Sequence, residues 1–353
     1  MKKIGGISNI NISSVITGTG AYVPDFVLDN SMFNQIIETS DDWIVSRTGI
    51  KERRIEQEKG NFEMIGAACL SALRNSGLTS DKIDMIIVST VTADYNYPST
   101  ACLVQNYIKA DNAVSFDISA ACAGFVFALD IADAYIKSGR AKNIIVASGD
   151  LMSRATDYFD RNNCILFGDG AGAAVVSAYE NKNENRLENA ERGVLASYTA
   201  AECDGEKPFF IFQAHYKPGE IFDKKTRRFK GNADKLHNSY ISQNGREVMQ
   251  FVSRVMPKAL NEVLNKANLN MSDLKYIVLH QANKRIIDHL IEKYKLDREK
   301  VPLNIDRYGN SSSSTVPILL HTINEKKMLN PGDLVALVAF GSGLVYGATL
   351  IRW

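Results

Sequence analysis

The sequence predicts an α/β protein built from two copies of one βα unit, packed as a layered α/β/α/β/α body. Three observations carry this reading. Short, near-continuous apolar runs such as Met85–Ser89 suit strands covered on both faces, and they alternate with helical patterns. The chain also repeats itself in order. VLNKANLNMSDLKYIVLH tracks ALRNSGLTSDKIDMIIVST, VPLNIDRYGNSSSST tracks AVSFDISAACAGF, and PGDLVALVAFGSGLVYGATLI tracks AKNIIVASGD with the glycine-rich run after it. Finally, a polar and charged stretch, Asn181 to Arg192, joins the two copies, giving expected halves of 1–180 and 181–353.

Val15 to Gly20 reads as a first strand ending in a glycine turn. The GTG there lacks the third glycine and the following helix of a dinucleotide fingerprint, so no cofactor is assigned to it. In SDDWIVSRTGI, Asp41 is expected to cap a short helix that sets Trp43 and Arg47 on one face. Such a pair suits either a surface helix or a platform for a nucleotide or phosphate. Asn61 to Ser76 carries apolar and small residues at helical spacing, and Met85 to Ser89 is a buried strand. A further helix starts near Ser99.

Ser115 to Leu129 (SFDISAACAGFVFAL) reads as a strand that turns sharply into a helix, with Cys122 at the turn. A lone cysteine is commonly a small buried apolar residue. At a helix N-terminus it also meets unpaired N–H groups and the positive dipole end, which are expected to lower its pKa. Both readings stand on this stretch alone. AKNIIVASGD is another buried strand, and in ILFGDGAGAAVVSA the glycines indicate close backbone packing, since the Lys and Ser/Thr of a P-loop are missing. VPLNID is expected to be a strand leading into the turn at Asn310. Cys122 and Asn310 thus fall in corresponding strand-to-helix turns, and His280 ends the strand corresponding to the one that ends at Ser89. A pseudo-twofold packing would bring the three together.

Composition narrows the classes. In 353 residues, 45% are hydrophobic and 23% charged, ample for a core, and the net charge of +1 with a pI near 7.6 argues against nucleic-acid binding. Cys69, Cys102, Cys122, Cys164 and Cys203 form no CxxC pair or metal pattern, as expected in a reducing compartment. The histidines, His215, His237, His280, His289 and His321, have no ligand spacing, so no metal is expected. The first residues lack the apolar run of a secretory signal, and Leu334 to Tyr346, broken by glycines, is too short to span a bilayer. A cytoplasmic protein without membrane insertion is expected.

DISAACAGF, HQANKRI, RYGNSSSS and AFGSGLVYGA, in this order and at these separations, resemble the thiolase-fold condensing enzymes. The chain is most similar to β-ketoacyl-acyl-carrier-protein synthase III, from about Ile16 to Trp353, SDDWIVSRTGI included. The resemblance implies a thiolase-like fold and decarboxylative condensation of an acyl-CoA primer with malonyl-acyl-carrier protein, which starts fatty-acid synthesis. Cys122 matches the nucleophile, and the N–H groups of Cys122 and Ser342 match the oxyanion hole. The φ required at Ser342, where relatives carry smaller residues, is expected to be less comfortable. His280 and Asn310 match the pair that serves the malonyl half-reaction. Trp43, Arg47, Arg161, Gly245, Asn283 and Arg285 match positions that meet coenzyme A or the carrier protein. Phe167 and Met249 match the acyl pocket, and Tyr97 the residue that reaches into it across a homodimer, which implies short primers. No cofactor is implied, acyl-CoA and malonyl carrier protein being substrates.

The clearest departure is the long stretch at about 197–239. It holds Phe209, Phe210, Phe212 and Tyr216 and a basic run, Lys224, Lys225, Arg227, Arg228 and Lys230. It reads as a surface hairpin with a solvated charge run, or as a lid that alters specificity. A degradative thiolase would need a second catalytic Cys after Cys203, and the elongating synthases a histidine where Asn310 stands. A specialised condensing or acylating enzyme of secondary metabolism, and an idle acyl-binding scaffold, are the remaining alternatives.

Overall fold

The computed structural model describes residues 12–180, 192–202, 211–212 and 240–353; the connection 181–191 and nearly all of the 203–239 stretch, with its aromatic and basic runs, lie outside them. From the amino end, β1 (Ile12–Tyr22) precedes a short hairpin, β2 (Val27–Asp29) with β3 (Glu52–Arg54), which brackets α1 (Asp41–Thr48). Next alternate α2 (Asn61–Ser76), β4 (Met85–Ser89), α3 (Thr100–Ile108), β5 (Val114–Ile118), α4 (Gly124–Lys137) and β6 (Asn143–Leu151). A single turn, α5 (Met152–Ala155), leads to β7 (Asp169–Glu180). The second half holds β8 (Gly193–Ala201), the small pair β9 (Ile211–Phe212) and β10 (Ser242–Gln243), then α6 (Gly245–Ala267), β11 (Tyr276–Leu279) and α7 (Lys284–Tyr294). It ends with α8 (Ile305–Tyr308), α9 (Thr315–Glu325) and the hairpin β12 (Leu334–Gly341) and β13 (Val345–Arg352).

The internal repeat is visible in the topology. One sheet has the order β1-β7-β6-β4-β5 and the other β8-β13-β12-β11, the same order short of one strand. In each, an antiparallel hairpin is flanked by a parallel strand, β4 beside β6 and β11 beside β12. The registers correspond as well: the Asp84 N–H donates to Asn143 O at 2.9 Å, and the Lys275 N–H donates to Leu334 O at 2.8 Å.

Helices α4 and α9 lie between the sheets, and their Phe125, Leu129, Val316 and Leu320 join Ile87, Val146, Val278 and Leu337 in the central core. Helices α2 and α3 cover the outer face of the first sheet, and α6 and α7 that of the second. The apolar strands are therefore used on both faces. Ile87 points to the central layer while Ile86 and Val88 point outward, and Leu337 points inward while Ala336 and Val338 point outward. Gly172 shows why β7 is glycine-rich: a Cβ there would lie 2.7 Å from Pro317 Cγ of α9. The packing reading of GDGAG holds.

Two local expectations are corrected. The cap of α1 is Ser40, not Asp41. The extended backbone of Ser40 lets its Oγ accept from the Trp43 N–H at 3.1 Å, and Asp41 instead accepts from Asn30 Nδ2 at 2.7 Å. VPLNID forms no strand. Pro302 has no N–H to offer a ladder, Ile305 packs with the cluster of Phe33, Ile44 and Phe167, and the segment coils into α8. Among the described residues no helix is long and apolar enough to cross a membrane, and no cluster of His, Cys, Asp or Glu could hold a metal.

Candidate active site

Parallel strands deliver their carboxyl ends to one side of a sheet, and two such sheets face each other across α4 and α9. Each strand-to-helix connection passes through one 3₁₀ turn, Ala121–Ala123 before α4 and Ser312–Ser314 before α9. Both open on a residue in the left-handed region, Ala121 (φ 42°) and Ser312 (φ 56°). Neither is a glycine, so each position holds about 1 kcal/mol or more of backbone strain, a feature concentrated at functional sites. The turns meet the end of β12 at Gly341, where a Cβ would lie 2.7 Å from the Cys122 nitrogen. A glycine is required there for the strand end to sit against the nucleophile backbone.

Cys122, His280 and Asn310 converge as the repeat implied, on the wall of a single cavity of about 860 Å³. The Cys122 Sγ lies 3.5 Å from Ser312 Oγ. Its thiol departs from expectation: burial, with a smaller contribution from the charge of Asp150, pushes it up to about 11. The bond to Ser312 and the backbone act in the lowering direction and are outweighed. The resting side chain is a thiol.

His280 is 2% exposed, and burial pushes its pKa down to about 3, so the imidazole is neutral. Its Nδ1 lies 2.6 Å from Thr315 Oγ1, and its ring meets Phe340 edge to face at 5.2 Å. Asn310 is tied into the first half. Its N–H donates to Leu166 O at 2.9 Å, and its carbonyl accepts from the Gly168 N–H at 3.1 Å, a bridge beside Phe167. Asn310 Oδ1 accepts from the Ser312 N–H at 2.9 Å, which leaves the amide NH₂ to serve the cavity.

Asp150 holds this arrangement from behind. It is fully buried and accepts from Thr90 Oγ1 (3.0 Å), the Val91 N–H (2.8 Å) and Thr92 Oγ1 (3.1 Å) of the first half. From the second half it accepts from Ser313 Oγ (2.8 Å) and the Ser313 N–H (3.3 Å). Burial raises its pKa, opposed by these donors. Neither Asp150, Ser312 nor Thr315 stood out in the sequence; the ASGD strand end and the NSSSST run are the signals that carry them.

Of the other expected site residues, Phe167, Met249, Trp43, Arg47, Gly245, Asn283 and Arg285 line the same cavity. Asn283 Oδ1 accepts from the Arg285 N–H at 2.8 Å and so caps α7. Three residues are not on that wall. Arg161 instead stacks on Trp43, its Cζ 3.9 Å from the ring centroid, with Arg47 also over that ring at 4.2 Å. Tyr97 points away and is 87% exposed. Ser342 sits on the turn after Gly341, and its expected strain is absent: the left-handed residue of that turn is Gly343 (φ 144°).

Comparison with known proteins identifies the family. The models for the 3-oxoacyl-[acyl-carrier-protein] synthase III family match residues 116–193 and, for its C-terminal part, 264–353. The chain is 42% identical over 347 residues to the beta-ketoacyl-[acyl-carrier-protein] synthase III of Clostridium beijerinckii, covering 98% of this chain and 100% of that one. The solved 3-oxoacyl-[acyl-carrier-protein] synthase III of Aquifex aeolicus superposes with a TM-score of 0.83 at 41% identity, over 96% of this chain and 100% of that one. The priming beta-ketosynthase of the R1128 polyketide pathway superposes equally well, with a TM-score of 0.83 at 29% identity over 96% of both chains. With matches of this extent, and with the cysteine, histidine and asparagine gathered at one cavity, the chain belongs to the β-ketoacyl-acyl-carrier-protein synthase III family of thiolase-fold condensing enzymes.

Proposed function

We infer that the protein is an acyltransferase that condenses an acyl-CoA primer with malonyl-acyl-carrier protein, with loss of CO₂, to start fatty-acid synthesis. The observation that carries this is the meeting of Cys122, His280 and Asn310, supplied by both halves, on one cavity wall. In the first half-reaction the Cys122 sulfur attacks the acyl thioester carbon. The tetrahedral oxyanion is held by the N–H groups of Cys122 and Ser342, and coenzyme A leaves as the thiol, taking up the proton that Cys122 gives up. In the second, neutral His280 and the Asn310 amide donate to the malonyl thioester oxygen. Breaking the C–CO₂ bond leaves an enolate on that oxygen. Its carbon attacks acyl-Cys122, the new C–C bond forms, and the Cys122 thiolate leaves and takes a proton from solvent.

A neutral His280 is what this step asks for. An imidazolium would bind the carboxylate as readily as the enolate oxygen, and so favour the ground state. All bonds made and broken lie within the two thioesters and Cys122, so no cofactor is required. Trp43, Arg47 and Arg161 suit the nucleotide end of coenzyme A. Gly245, Asn283 and Arg285 suit the pantetheine entrance, with Arg285 facing the acidic carrier protein.

The protein acts as a homodimer in the cytoplasm on this reading. Support comes from the edge strand β5, where Val114 is 60% exposed, and from the bare Tyr97 ring. Tyr97 crossing a twofold axis, with Phe167 and Met249, would leave room for short primers. Incubation with acetyl-CoA should add one acetyl group to Cys122 by mass spectrometry, and subsequent malonyl carrier protein should remove it as β-ketoacyl product. Absence of the adduct would overturn the reading. Efficient priming by long acyl-CoAs in competition would overturn the short-primer part alone.

A further inference from the structure

The two halves place corresponding residues in contact, and the contacts differ in kind. Ser89, at the end of β4, lies against Gly124, the first residue of α4, where a Cβ would come within 2.6 Å of Ser89 Cβ. His280, just after β11, occupies the position of Ser89, and Thr315, the first residue of α9, that of Gly124. The backbone confirms the equivalence: Gly124 has φ −58°, ψ −36°, and Thr315 φ −58°, ψ −41°. In the first half this contact is a steric exclusion. In the second it is the 2.6 Å hydrogen bond between Thr315 Oγ1 and His280 Nδ1, with both residues buried.

That bond has a direction. The Thr315 hydroxyl has one proton and two acceptors within reach, His280 Nδ1 at 2.6 Å and Ser312 O at 3.2 Å. The Gln281 N–H, at 3.3 Å, donates to the same oxygen. If the proton lies on the shorter line, Nδ1 is the acceptor and the single ring proton sits on Nε2, the nitrogen left to face the cavity. If it goes to Ser312, Nδ1 must donate to Thr315, and Nε2 presents a lone pair to the substrate.

We propose that Thr315 is a positioning residue: by donating its hydroxyl proton to Nδ1 it holds His280 in the Nε2–H tautomer, so that His280 can donate to the thioester oxygen of the malonyl substrate. The proposal rests on the malonyl role given to His280 above. Thr315 does not itself line the cavity and acts only through the imidazole. Acyl transfer to Cys122 uses backbone donors and does not depend on this tautomer; decarboxylation does. The hydroxyl therefore separates the two half-reactions.

The test uses the full chain with acetyl-CoA and malonyl-acyl-carrier protein as separate probes. Thr315→Val keeps the shape and removes the donor, and Thr315→Ser keeps the donor. Thr315→Val should release CO₂ about 10²-fold more slowly, as when one oxyanion donor is lost, while acetylation of Cys122 stays within about twofold. Thr315→Ser should restore most of the CO₂ release. Two-bond ¹⁵N–¹H correlations of His280 should show the Nε2–H tautomer in the parent protein. The Nδ1–H tautomer in the parent, unchanged CO₂ release in Thr315→Val, or failure of Thr315→Ser to restore it would each overturn the proposal. A parent protein that neither acetylates Cys122 nor releases CO₂ would overturn the function, and the tautomer measurement would still read the Thr315 bond.

Discussion

The turns Ala120–Gly124 and Ser311–Thr315 have nearly the same backbone and opposite chemistry. Ala123 and Ser314 share helical angles (φ −84° and −80°), and Ala121 and Ser312 share the left-handed region. The first turn is lined by methyl groups and a thiol, and the second by hydroxyls. A duplicated fold thus supplies two equivalent positions at the mouth of the central layer, and in the proposed mechanism side chains divide the reaction between them. The apolar turn leaves space and backbone N–H groups for an acyl carbonyl. The hydroxyl turn, braced by Asp150, orients Asn310, Ser312 and His280.

Removing the nucleophile breaks this division most sharply. Cys122→Ala should lose condensation by about 10⁴-fold or more. Release of CO₂ from malonyl carrier protein should persist, because its donors, His280 and Asn310, belong to the second half; loss of both activities would show that the halves do not act separately. Gly341→Ala is the next largest effect. Its Cβ, 2.7 Å from the Cys122 nitrogen, must displace the nucleophile backbone, and acetylation of Cys122 should slow by about 10²-fold.

The neutrality of His280 has a measurable stability consequence. Its folded pKa, about 3, lies below the unfolded value near 6.5, so the unfolded chain binds a proton that the folded one refuses. Its contribution is fully present above pH 6.5 and is lost as pH falls from there toward 3, by up to about 1.4 kcal/mol per pH unit. Urea unfolding of His280→Gln against the parent should show a shallower acid loss in that window, and parent CO₂ release should show no inflection near pH 6.5. Ser312→Ala should have the smallest effect. Losing a bond that favours the thiolate moves the Cys122 pKa further up, and iodoacetamide alkylation near pH 8 should slow by about two- to fivefold. Faster alkylation would refute the role of that hydroxyl.

What was readable in the chain was whatever is local or repeated. The span of α2, the strand at Met85–Ser89 and the turn at Cys122 follow from periodicity and small residues. Motifs in register marked Cys122, His280 and Asn310. Where expectations failed, a neighbour decided. Ser40 rather than Asp41 caps α1 because its backbone is extended, and VPLNID coils because Ile305 finds a pocket away from the sheet. The stacking of Arg161 on Trp43 was not legible either, because it joins two segments far apart in sequence.

The sequence by itself determined the duplicated α/β architecture, the family and the identity of the three central residues, because periodicity, order and motif spacing are properties of the chain. Only the tertiary structure decided their protonation and orientation. The raised thiol of Cys122, the neutral imidazole of His280, the carboxylate of Asp150 clasping both halves and the hydroxyl of Thr315 against Nδ1 all arise where the halves close. Burial and long-range hydrogen bonds act through space, and sequence separation carries no record of them.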